Sequence, residues 1–214
     1  MNDEGAPQLT GRSARKHRAI LEAATDVFLT RGYRDTSMDE VAARSGVSKQ
    51  TVYKHFSSKE ALFVEIVERM ALSTGDRVLA SIPRSDDGER DIADILYSYA
   101  LRQLQEVLKP RLLQLRRVVI GEAARFPELA RTFYENGPQR AIDAIAELLR
   151  AAASRGLLEI DDPDGAATQF NWLLMGGPLN RAMFLSDASI PNEDTMKRTA
   201  RAAVDVMITA YAVR

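Results

Sequence analysis

The sequence predicts an all-α protein of about nine to ten helices, with a small three-helix head and a larger helical body. Three observations carry that prediction. Nearly every segment of the 214-residue chain repeats its apolar residues at helical spacing, and none alternates like a strand. Proline and glycine punctuate the pattern where helices start and stop, at Gly32, Gly46, Pro110, Pro127, Gly137-Pro138, Gly156, Pro163 and Pro191. The hydrophobic share of 45% and charged share of 28% supply an ordinary core without cross-links.

In the head, Ile20, Leu21, Ala24, Val27 and Phe28 form one stripe of a first helix that Gly32 ends. Ser37 and Glu40 of TSMDEVAARSG stand in capping-box relation, so a short second helix starts there and stops at Gly46. Ser48 caps a third helix containing KQTVYKHF, and Ser57 with Glu60 opens a longer fourth one through Leu62, Ile66 and Met70. SIPRSDDG at 81–88 reads as a linker. Helical patterns then resume at 89–109, 110–125, 127–136, 138–155, 164–186 and 193–213. Within 164–186, Gly176-Gly177-Pro178 predicts a kink or an interruption.

Composition narrows the function. There is no cysteine, which excludes disulfides, thiolate metal sites and cysteine nucleophiles. The two histidines, His17 and His55, argue against a multi-histidine metal centre. No nucleophile–base pair or phosphate-cradling glycine loop is visible, so neither an enzyme nor a cofactor is expected. The polar N-terminus lacks a signal-peptide core, and no run reaches the roughly 18 apolar residues of a membrane span. A cytoplasmic protein with no membrane partner is expected. The net charge of −1 conceals a basic head: Gly11 to Glu60 holds ten Lys/Arg against six Asp/Glu, about +4, leaving about −5 elsewhere. Such a head suits a polyanion at one end of the molecule.

Two short helices joined by a Ser-Gly-Val-Ser turn, packed on a first helix, make a helix-turn-helix. Val47, Val52 and Phe56 are expected to face the core made by Val27, Phe28, Val41 and Ala42. That leaves Lys49, Gln50, Thr51, Tyr53 and Lys54 exposed, with His55 near the end. These are side chains that reach base edges and phosphates. Double-stranded DNA is the expected partner.

The run from Ile20 to Phe63, with its AA…F…GY entry and its TSMDEVA, GVSK, YKHF and SKEALF stretches, resembles the DNA-binding domain of the TetR family of bacterial repressors. RRVVIGEAARFPELARTFYENGP is similar to the AefR-like subgroup. The resemblance implies a DNA-binding domain at 12–60 and a helical effector-binding and dimerisation domain at 61–214, with a linking helix near 58–80. It implies phosphate contacts for Thr36, Ser37, Tyr53, His55 and Lys59. Ser48 caps the recognition helix, and Lys49, Gln50 and Thr51 face the major groove. Gln50 departs from the family pattern, where a small residue is common. Arg12, Arg15, Lys16 and Arg18 either reach the flanking backbone or minor groove or form a solvated basic tail.

The resemblance also implies a homodimer that binds a palindromic operator and releases it when a small-molecule effector binds. Activation, or regulation without an effector, is the alternative. Around the Gly-Gly-Pro break, Phe170, Asn171, Trp172 and Met175 are candidates to line the effector pocket. Leu101, Leu104, Phe126, Phe133 and Tyr134 join them, with Arg116, Arg117 and Gln103 as possible polar anchors. The last helix is apolar nearly all round and needs burial on two sides. Phe184, Ala203, Val206, Met207 and Ala210 are the expected dimer contacts, the alternative being a core within one chain.

Overall fold

The computed structural model describes residues 11–82 and 91–213, which form ten α-helices and no strand. The polar N-terminal stretch up to Thr10 and most of the expected 81–88 linker lie outside the described residues. The helices are α1 (Gly11–Arg31), α2 (Met38–Ser45), α3 (Lys49–His55), α4 (Lys59–Leu79), α5 (Ile92–Val107), α6 (Pro110–Glu122), α7 (Pro127–Tyr134), α8 (Arg140–Ser154), α9 (Pro163–Leu185) and α10 (Glu193–Tyr211). They divide into two compact units whose boundary falls inside α4, between Val67 and Glu68.

The first unit is built around an aromatic cluster. Phe28, Tyr33 and Phe63 are buried, with Phe28 and Phe63 centroids 4.9 Å apart and Tyr33 and Phe63 5.1 Å apart. Ile20, Val27, Val41, Val52 and Leu62 close around them without exposure. In so small a core, truncating Phe28 or Phe63 to alanine costs about 3–5 kcal/mol.

Local chemistry sets the helix ends. The Glu40 N–H donates to Ser37 Oγ at 3.2 Å, starting α2. The Glu40 carboxylate turns to Arg31 and Arg44, at 3.1 and 3.2 Å. At α4 the N-cap is Ser58 rather than the expected Ser57, since the Ala61 N–H donates to Ser58 Oγ at 3.1 Å.

In the second unit, α5 packs on α10 and α8 on α9, and the core runs through Leu96, Tyr99, Leu104, Leu113, Ile145, Leu149, Phe170 and Leu174. Two expected breaks are absent. Gly137-Pro138 does not end a helix: α7 passes through a π-turn, Glu135–Gln139, directly into α8. The wider turn accommodates a proline that has no N–H to donate and whose ring crowds the preceding turn. Nor do Gly176-Gly177-Pro178 interrupt α9, which is helical from Pro163 to Leu185. Leu174, Met175 and Ala182 are buried on either side of Pro178, so ending the helix there would expose them. Asn180 Nδ2 also donates to the Gly176 carbonyl at 2.7 Å.

Candidate nucleic-acid interface and ligand cavity

The α2–α3 turn is fixed by its two ends. Gly46 adopts φ 67°, a left-handed conformation that suits glycine, and closes α2. Two residues on, Ser48 caps α3 by accepting from the Thr51 N–H at 3.2 Å, and its hydroxyl lies 2.8 Å from that of Thr51. Val52 and Phe56 are buried and hold α3 to the core, while Val47 is half-buried. Ser48, Lys49, Gln50, Tyr53 and Lys54 are exposed, and Thr51 and His55 are half-buried. The face so presented carries amide, hydroxyl, phenol and ammonium groups, a mixture able to meet base edges and phosphates.

Lys49 is not idle in this surface. Its Nζ pairs with Asp39 Oδ1 of α2 at 2.7 Å, and that hydrogen bond and charge raise its pKa. His55 is edge-on to His17, at 5.6 Å between centroids, and His17 stacks on Phe56 at 4.8 Å. Burial, and then the neighbouring His17, Lys16 and Lys54, push the pKa of His55 down. His17 Nε2 meets Glu65 Oε1 at 2.7 Å. Arg12, Arg15, Lys16 and Arg18 are exposed on the first turns of α1.

Two residues expected to touch phosphate are placed differently. Thr36 is 3% exposed and its hydroxyl donates to the Gly32 carbonyl at 2.7 Å, so it faces inward. Lys59 donates to three backbone carbonyls, of Tyr33, Arg34 and Thr36, at 2.9, 3.1 and 2.9 Å. An ammonium has three hydrogens, and these carbonyls account for all of them. Lys59 therefore ties the α1–α2 loop to the start of α4. Ser37, by contrast, is exposed at the α2 N-terminus.

The second unit contains an elongated cavity of about 370 Å³. Thr74, Gly75 and Val78 of α4 form one side; Leu112, Arg116 and Val119 of α6 another; Phe133 and Tyr134 of α7, with Ile142 of α8, a third. Gln103, Asn171, Trp172 and Met175 complete it from α5 and α9. Of the twelve expected pocket residues, the structure brings Gln103, Arg116, Phe133, Tyr134, Asn171, Trp172 and Met175 to the wall.

The other five lie elsewhere. Leu104 and Phe170 are wholly buried in the helical core. Leu101 lies in a separate depression with Tyr97 and Arg102. Arg117 donates to the Ala182 carbonyl at 2.6 Å and to Asp187 at 3.1 Å. Phe126 begins α7, with Arg125 over its ring. Apart from Arg116 and Thr74, the α4 and α6 wall is made of small and aliphatic residues with no signal of their own in the sequence.

The expected dimer contacts also separate by helix face. Ala203 and Met207 are 4% and 2% exposed, packed in the core of their own chain. Phe184 and Val206 are 83% and 52% exposed, and Ala210 is exposed as well. Leu173 adds a further exposed apolar side chain on α9.

Comparison with known proteins places these features in a family. Residues 94–213 match the AefR-like transcriptional repressor C-terminal domain, and residues 20–66 match the bacterial regulatory proteins of the tetR family. The chain belongs to the TetR family. It superposes on a protein of Mesorhizobium loti described as a TetR-family transcriptional regulator, with TM-score 0.86 and 37% identity over 94% of this chain and 99% of that one. The flavonoid-responsive regulator FrrA is 31% identical, with TM-score 0.74 over 94% and 99% of the two chains. Curated relatives match over stretches of different length. The transcriptional activator FasR of Mycolicibacterium smegmatis is 50% identical over 50 residues, and the regulator RutR of Escherichia coli 37% over 71. The chain spans about a quarter of FasR (23%) and a third of RutR (34%).

Proposed function

We propose that this TetR-family protein is a dimeric repressor that binds a palindromic operator and is released by a small-molecule effector. The observation that carries the reading is the α3 face: Val52 and Phe56 anchor the helix while Lys49, Gln50, Tyr53 and Lys54 stand exposed beside a capped turn. The DNA-binding domain is 12–60 and the effector and dimerisation domain 61–214. Lys49, Gln50 and Thr51 face the major groove, while Ser37, Tyr53 and His55 meet phosphate.

Homodimerisation and ligand binding are typical of the family. The exposed apolar groups on α9 and α10, Leu173, Phe184, Val206 and Ala210, supply a surface for a second copy. The cavity is the effector site. Its α4 wall, Thr74, Gly75 and Val78, belongs to the helix that begins at Lys59, so filling the cavity bears on α4. An effector acts only through its differential affinity for the operator-competent and released states. FrrA is named for its response to flavonoids, in keeping with an organic effector of aromatic character.

A second reading, activation, is favoured by the match to FasR, which is named a transcriptional activator. Titrating an enriched duplex while following sedimentation tests the proposal. Two chains per duplex support it; a monomeric complex contradicts it. Repressor and activator separate in transcription from the enriched promoter, which falls or rises on adding protein.

A further inference from the structure

Among the described residues, Arg116 carries the only charge on the wall of the cavity, and no acidic residue lines it. The guanidinium lies over the Phe133 ring, 5.3 Å from its centroid. Its Nε is buried with no hydrogen-bond partner, and among the described residues no carboxylate pairs with it. Burial pushes its pKa down, yet arginine remains protonated at neutral pH. Arg116 as a whole is half-buried, but a cation whose Nε is closed off without a partner is costly, and a ring quadrupole offsets only part of the cost. Nearby, Gln103 donates through Nε2 to Asn171 Oδ1 at 2.9 Å, while its Oε1 is buried with no donor. The cavity therefore offers one cationic fork and one vacant acceptor inside an otherwise apolar, aromatic-edged space.

We infer that the cavity takes an apolar, ring-sized organic anion whose single acidic group, a carboxylate, sulfonate or ionised phenol, pairs with Arg116. The inference rests on the reading of this cavity as the effector site and adds the ligand's chemical class. An acid on Arg116 forms charge-assisted hydrogen bonds in a largely apolar site, where they are stronger than in open water. A hydroxyl elsewhere on the same ligand would satisfy Gln103 Oε1. A neutral molecule of the same shape fills the apolar volume but leaves the guanidinium unpaired.

The test uses two dyes that share one skeleton. 1-Anilinonaphthalene-8-sulfonate carries an acid; N-phenyl-1-naphthylamine does not. The full-length protein should bind the sulfonate about 10- to 100-fold more tightly than the neutral dye, the range expected of hydrogen bonds to a charged group. Trp172, the only tryptophan and part of the wall, should lose emission as the sulfonate binds. Arg116→Met should abolish the preference, keep the neutral dye, and raise the thermal midpoint by removing an unpaired buried charge. In the unaltered protein, 2-naphthoate should displace the sulfonate and 2-naphthamide should not, an arm independent of how the variant folds. Equal binding of both dyes and equal displacement by acid and amide would overturn the acid class while leaving the cavity as an effector site. Absence of saturable binding by either dye, with Trp172 emission unchanged, would remove the effector-site reading as well. A lowered midpoint in Arg116→Met together with loss of both dyes would make Arg116 a packing residue and overturn the inference.

Discussion

Lys49 Nζ lies 2.7 Å from Asp39 Oδ1, so the first basic side chain of the recognition helix is held by a carboxylate of the preceding helix. Both partners are well exposed, and the pair contributes little to stability. Its consequence is for DNA. To meet a phosphate or a guanine, Lys49 must leave Asp39, whose charge then faces the polyanion. Asp39→Asn should therefore tighten DNA binding by about 3- to 10-fold. Fluorescence anisotropy at low and moderate salt checks it; unchanged or weaker binding contradicts the placement of Lys49 at the interface.

Lys59 makes the opposite case. With three carbonyls on its ammonium, two part-buried and one exposed, Lys59→Ala should destabilise the protein by about 1.5–3 kcal/mol, the scale of hydrogen bonds to a charged group. Chemical denaturation measures the loss. The salt dependence of DNA binding by the folded variant should stay as it was, whereas a lost phosphate contact would reduce the slope by about one.

Glu106 gives the protein an acid-sensitive point. Its side chain is 3% exposed and is met at 2.6 Å by both Arg77 and Lys109, with Arg102 at 3.7 Å. Burial alone would raise its pKa; the hydrogen bonds from Lys109 and Arg77 outweigh burial and lower it. A lowered folded pKa means that the unfolded chain binds the proton first as pH falls. The stabilisation is complete above the ordinary value of 4.5 and is lost as pH drops from there through the lowered folded value. Glu106→Gln should cost on the order of 1 kcal/mol at neutral pH, because Arg77, Arg102 and Lys109 are themselves 43%, 43% and 50% exposed and solvent screens them. Unfolding followed from pH 7 to 3 should show the gap between the two proteins closing below pH 4.5, and a constant gap contradicts the assignment.

The proposed dimer rests on Phe184 and Val206 rather than on the whole apolar surface of α10. Phe184→Glu should leave the thermal midpoint nearly unchanged and shift sedimentation from dimer to monomer. Ala203→Glu should lower the midpoint itself, since Ala203 is buried within its own chain. A monomeric unaltered protein at micromolar concentration contradicts the interface.

What the sequence could disclose follows from where each signal resides. Helix ends were legible because Gly46, Ser48, Pro110 and Pro127 act on their own neighbours. The recognition helix was legible because Val52 and Phe56 against Gln50 and Tyr53 already mark its two faces. Gly137-Pro138 misled because a π-turn carries the proline within a continuous helical path, and Gly176-Gly177-Pro178 misled because burial of Leu174, Met175 and Ala182 outweighs a local preference to break. Lys59 was opaque because its partners lie 23 to 26 residues earlier, and only folding brings them to one ammonium. The cavity wall was legible in Trp172, Met175, Asn171 and Tyr134 but not in Thr74, Gly75 or Leu112. Small and aliphatic residues on α4 and α6 become a wall only when several helices converge. On α10, Met207 and Val206 are equally apolar neighbours, and only packing on α5 decides which is core.

Gln50, exposed at the start of α3, tests the central claim most directly. Duplexes should be enriched from random DNA on the unaltered protein and on Gln50→Ala, and the two sets compared at one salt concentration. The account predicts a two-fold symmetric site with half-sites about 34–36 Å apart. It predicts for the variant a changed preference at one or two base pairs, mirrored in both halves, each worth about 1–3 kcal/mol. Enrichment of no sequence at all, or an identical symmetric site for both proteins, would contradict the reading of DNA by this face of α3.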